Sequence, residues 1–208
     1  MEPLLRDTYV EINLDNIAYN MRKIKETVGK DVAIAAVVKA NGYGHGAIDI
    51  AQTIMENGGD YLAVATLTEA LELRKHYDDY KIFIMGYTPD EYLEYVVKNN
   101  ITQTIFSLRQ AKILNEWGIK YNKKPAVHIK YDTGFNRIGY RDSQESTDEI
   151  DKIFDLENIF VEGIFSHFAL AGEDEDEIQY NKLVNAINQL EERGRQFKYK
   201  HICDSIAG

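Results

Sequence analysis

Cysteine is almost missing from these 208 residues. Cys203 stands alone, so no internal disulfide can form, and a reducing compartment suits the chain. Proline is nearly as scarce, with three residues, which leaves long stretches free of helix breakers. Basic residues are outnumbered: 24 Lys and Arg against 34 Asp and Glu give a formal charge of −10. A surface of that sign repels phosphodiester backbones and argues against a nucleic-acid partner. No run approaches 18 apolar residues, and MEPLLRDTYVEINLD lacks the basic-then-apolar order of a secretory leader. The expectation is a soluble, cytoplasmic protein with no membrane partner. His45 and His128 lack metal-ligand spacing and no Cys pair supports zinc, so no metal is expected. What remains is ordinary globular composition, 44% hydrophobic and 28% charged, with length for one well-buried core.

Alternation over Asp7–Leu14 predicts a lone early strand. Asp15 then reads as the N-cap of a helix carrying Ile17, Met21 and Ile24 on its apolar face. Short apolar strands follow at Val32–Lys39, Tyr61–Ala65, Lys81–Met85, Gln103–Phe106, Ala126–Tyr131, Val161–His167 and Tyr199–Asp204. Helical patterns separate them. Thr68 precedes EALELRKH, Pro89-Asp90-Glu91 opens the next, Ser107 precedes LRQAKILNEWG, and Ser146-Thr147 precede DEIDKIFD. The longest helix is expected from about Glu175 to Gly194. Strand-then-helix repetition without hairpin signals predicts a parallel sheet. Strands apolar on both faces favour a closed (β/α)₈ TIM-type barrel over an open doubly wound sheet. Such a barrel needs eight strands and about 250 residues. The chain is therefore expected to be an incomplete barrel, truncated after its seventh strand, with residues 1–14 as a separate strand and 15–208 as the barrel portion.

Chemistry concentrates in Ala36–Gly46, AVVKANGYGHG. A buried-looking strand delivers Lys39 to its C-terminal tip and breaks into a turn holding Gly42, Gly44 and Gly46 among Asn41, Tyr43 and His45. An amine at the edge of an apolar wall is disfavoured as ammonium and becomes a nucleophile toward carbonyls. Ala126–Gly139, AVHIKYDTGFNRIG, ends a strand at Asp132-Thr133-Gly134 and sets Arg137 in the turn. A guanidinium fork there suits a carboxylate better than a flexible ammonium would. His167 closes the sixth strand, and Ser205 follows the seventh among small residues that let backbone N–H groups approach an anion.

AVVKANGYGHG resembles the cofactor-lysine signature of the alanine racemase family, barrel enzymes that depend on pyridoxal 5'-phosphate (PLP). DTGFNRIG resembles that family's second signature. The resemblance implies that Lys39 carries PLP as an internal Schiff base and acts as a catalytic acid/base. It implies that Tyr43 and Ser205 contact the cofactor phosphate and that His167 lines the cofactor ring. Lys130 is the lysine often carbamylated in the family, and its carbamate orients Arg137 toward the cofactor's phenolic oxygen and the substrate carboxylate. Two departures stand out: Asp204 precedes Ser205 where Asn is usual, and Asn136 sits where Gly is common. By the same resemblance the protein is an isomerase interconverting L- and D-alanine, in D-alanine and cell-wall precursor synthesis. It would work as a homodimer on a small amino-acid substrate. The second acid/base would be a tyrosine on a C-terminal β-domain across the dimer, which the early strand would pair with. Four alternatives stay open: a PLP-holding barrel without turnover, a racemase for serine or another amino acid, a lysine-dependent aldolase, and a degenerate barrel in which Lys39 and Arg137 are structural.

Overall fold

The computed structural model describes residues 8–169 and 172–202. In chain order its elements are α1 (Leu14–Val28), β1 (Ala35–Val37), α2 (Lys39–Tyr43), α3 (Ala47–Glu56), β2 (Tyr61–Val64), α4 (Leu67–His76) and β3 (Ile82–Ile84). Then come α5 (Leu93–Lys98), β4 (Thr102–Ile105), α6 (Leu108–Tyr121), β5 (Ala126–Asp132), β6 (Tyr140–Arg141), α7 (Gln144–Ile153), β7 (Phe160–Phe165), α8 (Glu173–Glu192) and β8 (Tyr199–His201). Seven strands run in the order β1-β2-β3-β4-β5-β7-β8, every pairing parallel, while the two-residue β6 pairs with the end of β5. β1 and β8 are the two edges, so the barrel is open along one seam. Val37 on β1 keeps 40% of its surface exposed there.

Period-two alternation divides each strand between two cores. Leu62 and Val64 of β2, and Val127, Ile129 and Tyr131 of β5, face the helices in the main hydrophobic cluster. Tyr61 and Ala63 point the other way and meet Phe83 and Phe165 in a small inner cluster. Fully burying a side chain such as Leu62 or Ile129 contributes about 1.5–3 kcal/mol, and both have no exposed surface. The helices fill the outer layer: α5, for example, buries Leu93, Val96 and Val97.

Several expected boundaries shift. Residues 8–13 form no strand among the described residues; alternation alone makes none without a neighbour to complete the ladder. The N-cap of α1 is Asn13, whose side chain accepts from Asn16 N at 3.1 Å, and Asp15 sits inside the first turn. Thr66, not Thr68, caps α4, and Ser143, not Ser146 or Thr147, caps α7. Ser107 caps α6 as read. In both corrected cases the cap is the last extended residue, the only one whose oxygen reaches the amide three positions on.

Candidate active site

In an all-parallel sheet every strand delivers its following residue to the same rim. Lys39, after β1, and Arg137, after β5, therefore share the C-terminal edge of the open barrel. Val38 N still donates to Ala63 O at 2.8 Å, which holds the chain to β2 up to the residue before Lys39. Beyond it the backbone coils left-handed: Ala40, Asn41, Gly42 and Tyr43 have φ of 51°, 54°, 63° and 54°. That conformation costs an L-residue about 1–2 kcal/mol, so the three non-glycine residues among these four, Ala40, Asn41 and Tyr43, store appreciable strain.

The hydrogen bonds that hold this turn are specific. Gly42 N donates to Val38 O at 2.8 Å, Gly46 N to Asn41 O at 3.0 Å, and Ala47 N to Asn41 Oδ1 at 2.9 Å. At position 42 a Cβ would stand 2.9 Å from Ile50 Cδ1 and 3.3 Å from Ala47 N, so any larger residue would have to push both aside at a left-handed φ. Ala40 N, next to Lys39, donates to Glu69 Oε1 at 2.7 Å, while Glu69 Oε2 accepts from Ala65 N and Thr66 N at 2.9 and 3.1 Å. One carboxylate thus ties the lysine turn to the start of α4. Burial pushes Glu69 up, but the three amide donors outweigh it and hold the carboxyl below its ordinary range. Sequence reading missed Glu69, although Thr66-x-x-Glu69 is a capping box. Lys39 is half-buried, with Nζ 5.9 Å from the ring centre of Tyr43, and the Tyr43 ring is 60% exposed at the rim.

Across the rim, β5 turns inward at His128 and Lys130. Lys130 is buried, its Nζ lies 4.8 Å from the Phe165 ring centre, and that amine has no hydrogen-bond partner. Burial pushes it down to about 8; Asp132 opposes the shift and Arg137 adds to it. Asp132 Oδ1 accepts from Gly134 N at 3.1 Å and Asn136 N at 3.0 Å, folding the loop that carries Arg137. Asn136 has φ 58°, the left-handed region that Asn tolerates better than most residues. Its side-chain amide donates to Gly134 O at 2.8 Å. Arg137 lies over the Phe135 ring, Cζ 4.4 Å from its centre, and His167 meets the same ring at 5.1 Å. His167 lies two residues past the end of β7, beyond the strand rather than within it. Phe135, unnoticed in the sequence, thus joins Arg137 to His167. The loop is anchored from below by Thr133 Oγ1 and Ser166 Oγ, 2.8 Å apart and buried. Ser205 and Asp204 lie outside the described residues.

The rim therefore gathers an amine on a strained turn, a buried amine with a depressed pKa and a guanidinium on a folded loop. This set fits an anionic carbonyl compound and a carboxylate.

A family model described as alanine racemase, N-terminal domain, matches residues 12–208. An alanine racemase of Clostridium tetani is 47% identical over 206 residues, covering 98% of this chain and 53% of the relative. Alanine racemase 2 of Caldanaerobacter subterraneus is 44% identical over the same shares. Among solved structures, alanine racemase of Clostridium difficile 630 in complex with cycloserine superposes with a TM-score of 0.93 at 39% identity. It covers 98% of this chain and 57% of that one. Histidine racemase of Leuconostoc mesenteroides superposes at 0.80 with 26% identity, covering 91% and 51%. The chain spans about half the length of the curated relatives it matches.

Proposed function

We propose, from the premise that this chain belongs to the alanine racemase N-terminal domain family, that it forms the PLP-binding part of an amino-acid racemase, with alanine as substrate. The observation that carries this is the pairing of rim groups: Lys39 on its left-handed turn after β1 and Arg137 on its loop after β5, with the unpartnered Lys130 amine beneath. These residues fit pyridoxal phosphate, because an aldehyde needs a free amine and an anion needs cations nearby. When bound, that cofactor supplies an electron sink that acidifies the substrate's α-proton.

The chain's own groups then divide the work. Lys39 Nζ holds the cofactor covalently and, when free, holds or returns a proton on one face of the substrate Cα. The exposed Tyr43 hydroxyl and, from its sequence position, Ser205 hold the phosphate. Arg137 would take the substrate carboxylate and face the cofactor's phenolic oxygen, and His167 would line the ring, the two sharing a contact with Phe135. Lys130, buried, with its pKa pushed down to about 8 and so partly neutral near that pH, would add CO₂ and lose a proton, and the resulting carbamate would pair with Arg137. Racemisation needs a second acid/base on the opposite face, which the rest of a cytoplasmic homodimer supplies. The likeness to a histidine racemase is consistent with one barrel serving several amino acids, substrate choice being made at the pocket walls.

The test is reconstitution with PLP followed by borohydride reduction and peptide mapping. A phosphopyridoxyl group on Lys39 supports the reading; modification elsewhere, or none in a folded sample, refutes it. Alanine α-proton exchange in deuterated water then separates a racemase from a carrier of PLP, which exchanges nothing.

A further inference from the structure

Beneath the rim, inside the sheet, lies a polar column that the reaction above does not use. The hydroxyl of Tyr61, the first residue of β2, donates to Glu162 Oε2 at 2.7 Å. The same oxygen lies 3.5 Å from His128 Nε2, an ion-pair distance without the alignment of a hydrogen bond. On its other side, His128 Nδ1 is 3.4 Å from His201 Nε2, at the last residue of β8. Glu162 and His128 are 6% and 4% exposed. Lys198 Nζ, 3.8 Å from Glu162 Oε1, is the nearest cation to that carboxylate.

Two backbone devices converge on this spot. The register of β5 against β7 passes from Val127↔Val161 to His128↔Gly163, so Glu162 is an extra residue, turned inward by a β-bulge. Gly163 then faces the imidazole bare: a Cβ there would lie 2.9 Å from His128 Cε1 and 3.0 Å from both His128 Nδ1 and Tyr199 O. Phe83 covers the His128 ring at 4.5 Å, and Phe165 stacks on His201 at 4.7 Å with 7° between the planes. A buried carboxylate is expensive unless its charge is used, and here the fold devotes a bulge and a glycine to seating it.

We propose that Glu162 and His128 are positioning residues that, through His201, fix the C-terminal end of β8 and hence the backbone leading to Ser205. A carboxylate only accepts, so Glu162 favours the proton of His128 on Nε2 and leaves Nδ1 as an acceptor. That lone pair takes the Nε2–H of His201. β8 needs such a tie: it is three residues long, pairs among the described residues with β7 alone, and borders an open seam cavity of about 430 Å³. His201 itself is exposed on that seam, so the strand end has little burial to hold it. Its backbone carbonyl accepts from Ser166 N at 3.1 Å, and the side-chain link adds a second hold on the strand end. The significance for phosphate binding rests on the function proposed above; the link between the side chains does not.

The experiment uses the whole chain. Long-range ¹H–¹⁵N spectra of wild type should show a proton on Nε2 of both His128 and His201 and none on Nδ1 of His128; a proton on Nδ1 of His128 overturns the proposal. His128→Phe keeps a flat ring against Phe83 and Gly163 but removes both nitrogens. The amides of Tyr199–Ile202 should exchange at least tenfold faster while those of β2 and β3 are unchanged. Unchanged β8 exchange in the folded variant overturns the proposal. If that variant does not fold, Glu162→Gln should mix the His128 tautomers and speed β8 exchange severalfold, and an unaltered tautomer overturns the relay. Binding of PLP, read by borohydride trapping on Lys39, should weaken about tenfold in His128→Phe. Faster β8 exchange with unaltered PLP affinity supports the positioning role and refutes instead the phosphate assignment of Ser205.

Discussion

Replacing Glu69 by Gln tests whether one carboxylate holds the lysine turn in place. Its two oxygens accept three backbone N–H groups, at 2.7 Å from Ala40, 2.9 Å from Ala65 and 3.1 Å from Thr66. A glutamine keeps one acceptor oxygen and turns an NH₂ toward amides that also donate. Either the Ala40 bond or the Ala65–Thr66 pair is lost. Hydrogen bonds to a charged group contribute about 1.5–3 kcal/mol, so a loss of that size is expected. At about 2–4 °C per kcal/mol for a chain of this length, the melting temperature should fall by about 3–12 °C at pH 7. The pH dependence has a definite sign. The folded carboxyl lies below its ordinary 4.5, so its contribution is present above that value and is lost as pH falls through the folded pKa. Melting curves of wild type and Glu69→Gln should therefore converge below about pH 4.5, and hydrogen exchange at Ala40 should accelerate in the variant at pH 7. Equal melting at pH 7, or a gap that persists unchanged into acid, would refute the reasoning.

Other expectations concern neighbouring features. Gly42→Ala places a Cβ against Ile50 Cδ1 at φ 63° and should cost about 1–3 kcal/mol; an unchanged denaturant midpoint would contradict the close approach. For Lys130, ¹³C-bicarbonate should yield a carbamate resonance that grows from pH 7 to pH 9, because the reactive neutral amine appears as pH passes about 8. The signal should vanish in Lys130→Arg, and its absence from wild type at pH 8.5 would exclude the modification. Arg195 bridges Asp151 and Asp155 at 2.6 Å each, linking the chain after α8 to α7. Arg195→Ala should cost about 1 kcal/mol, less at 1 M salt; a salt-independent loss would assign the effect to packing on Phe154.

The barrel strands were legible because a strand buried on both faces is a short apolar run between turn residues, and all seven described strands of the path fall within or beside such runs. β6 was not: two residues carry no pattern, and Tyr140–Arg141 becomes a strand only by lying against Tyr131 and Asp132. The early alternating segment shows the converse, pattern without a neighbour among the described residues to complete a ladder. Helix caps slipped by two to four residues wherever several Ser, Thr or Asp residues stood near one start, since the preceding strand decides which is last extended. At the rim, Lys39, Lys130 and Arg137 stood out in the sequence because each lies in a motif at or near the end of a strand. Glu69 and Phe135 were passed over because their importance lies in what they touch.

The order of strands and helices, the acidic surface and the placing of an amine and a guanidinium just after two strands are properties of the linear chain, set by local periodicity and turn chemistry. Tertiary structure alone decided that Glu69 reaches back 29 residues to Ala40, that Lys130 is stripped of hydrogen-bond partners, and that a bulge turns Glu162 onto His128. Each depends on desolvation and on contacts between distant segments, which no local pattern encodes.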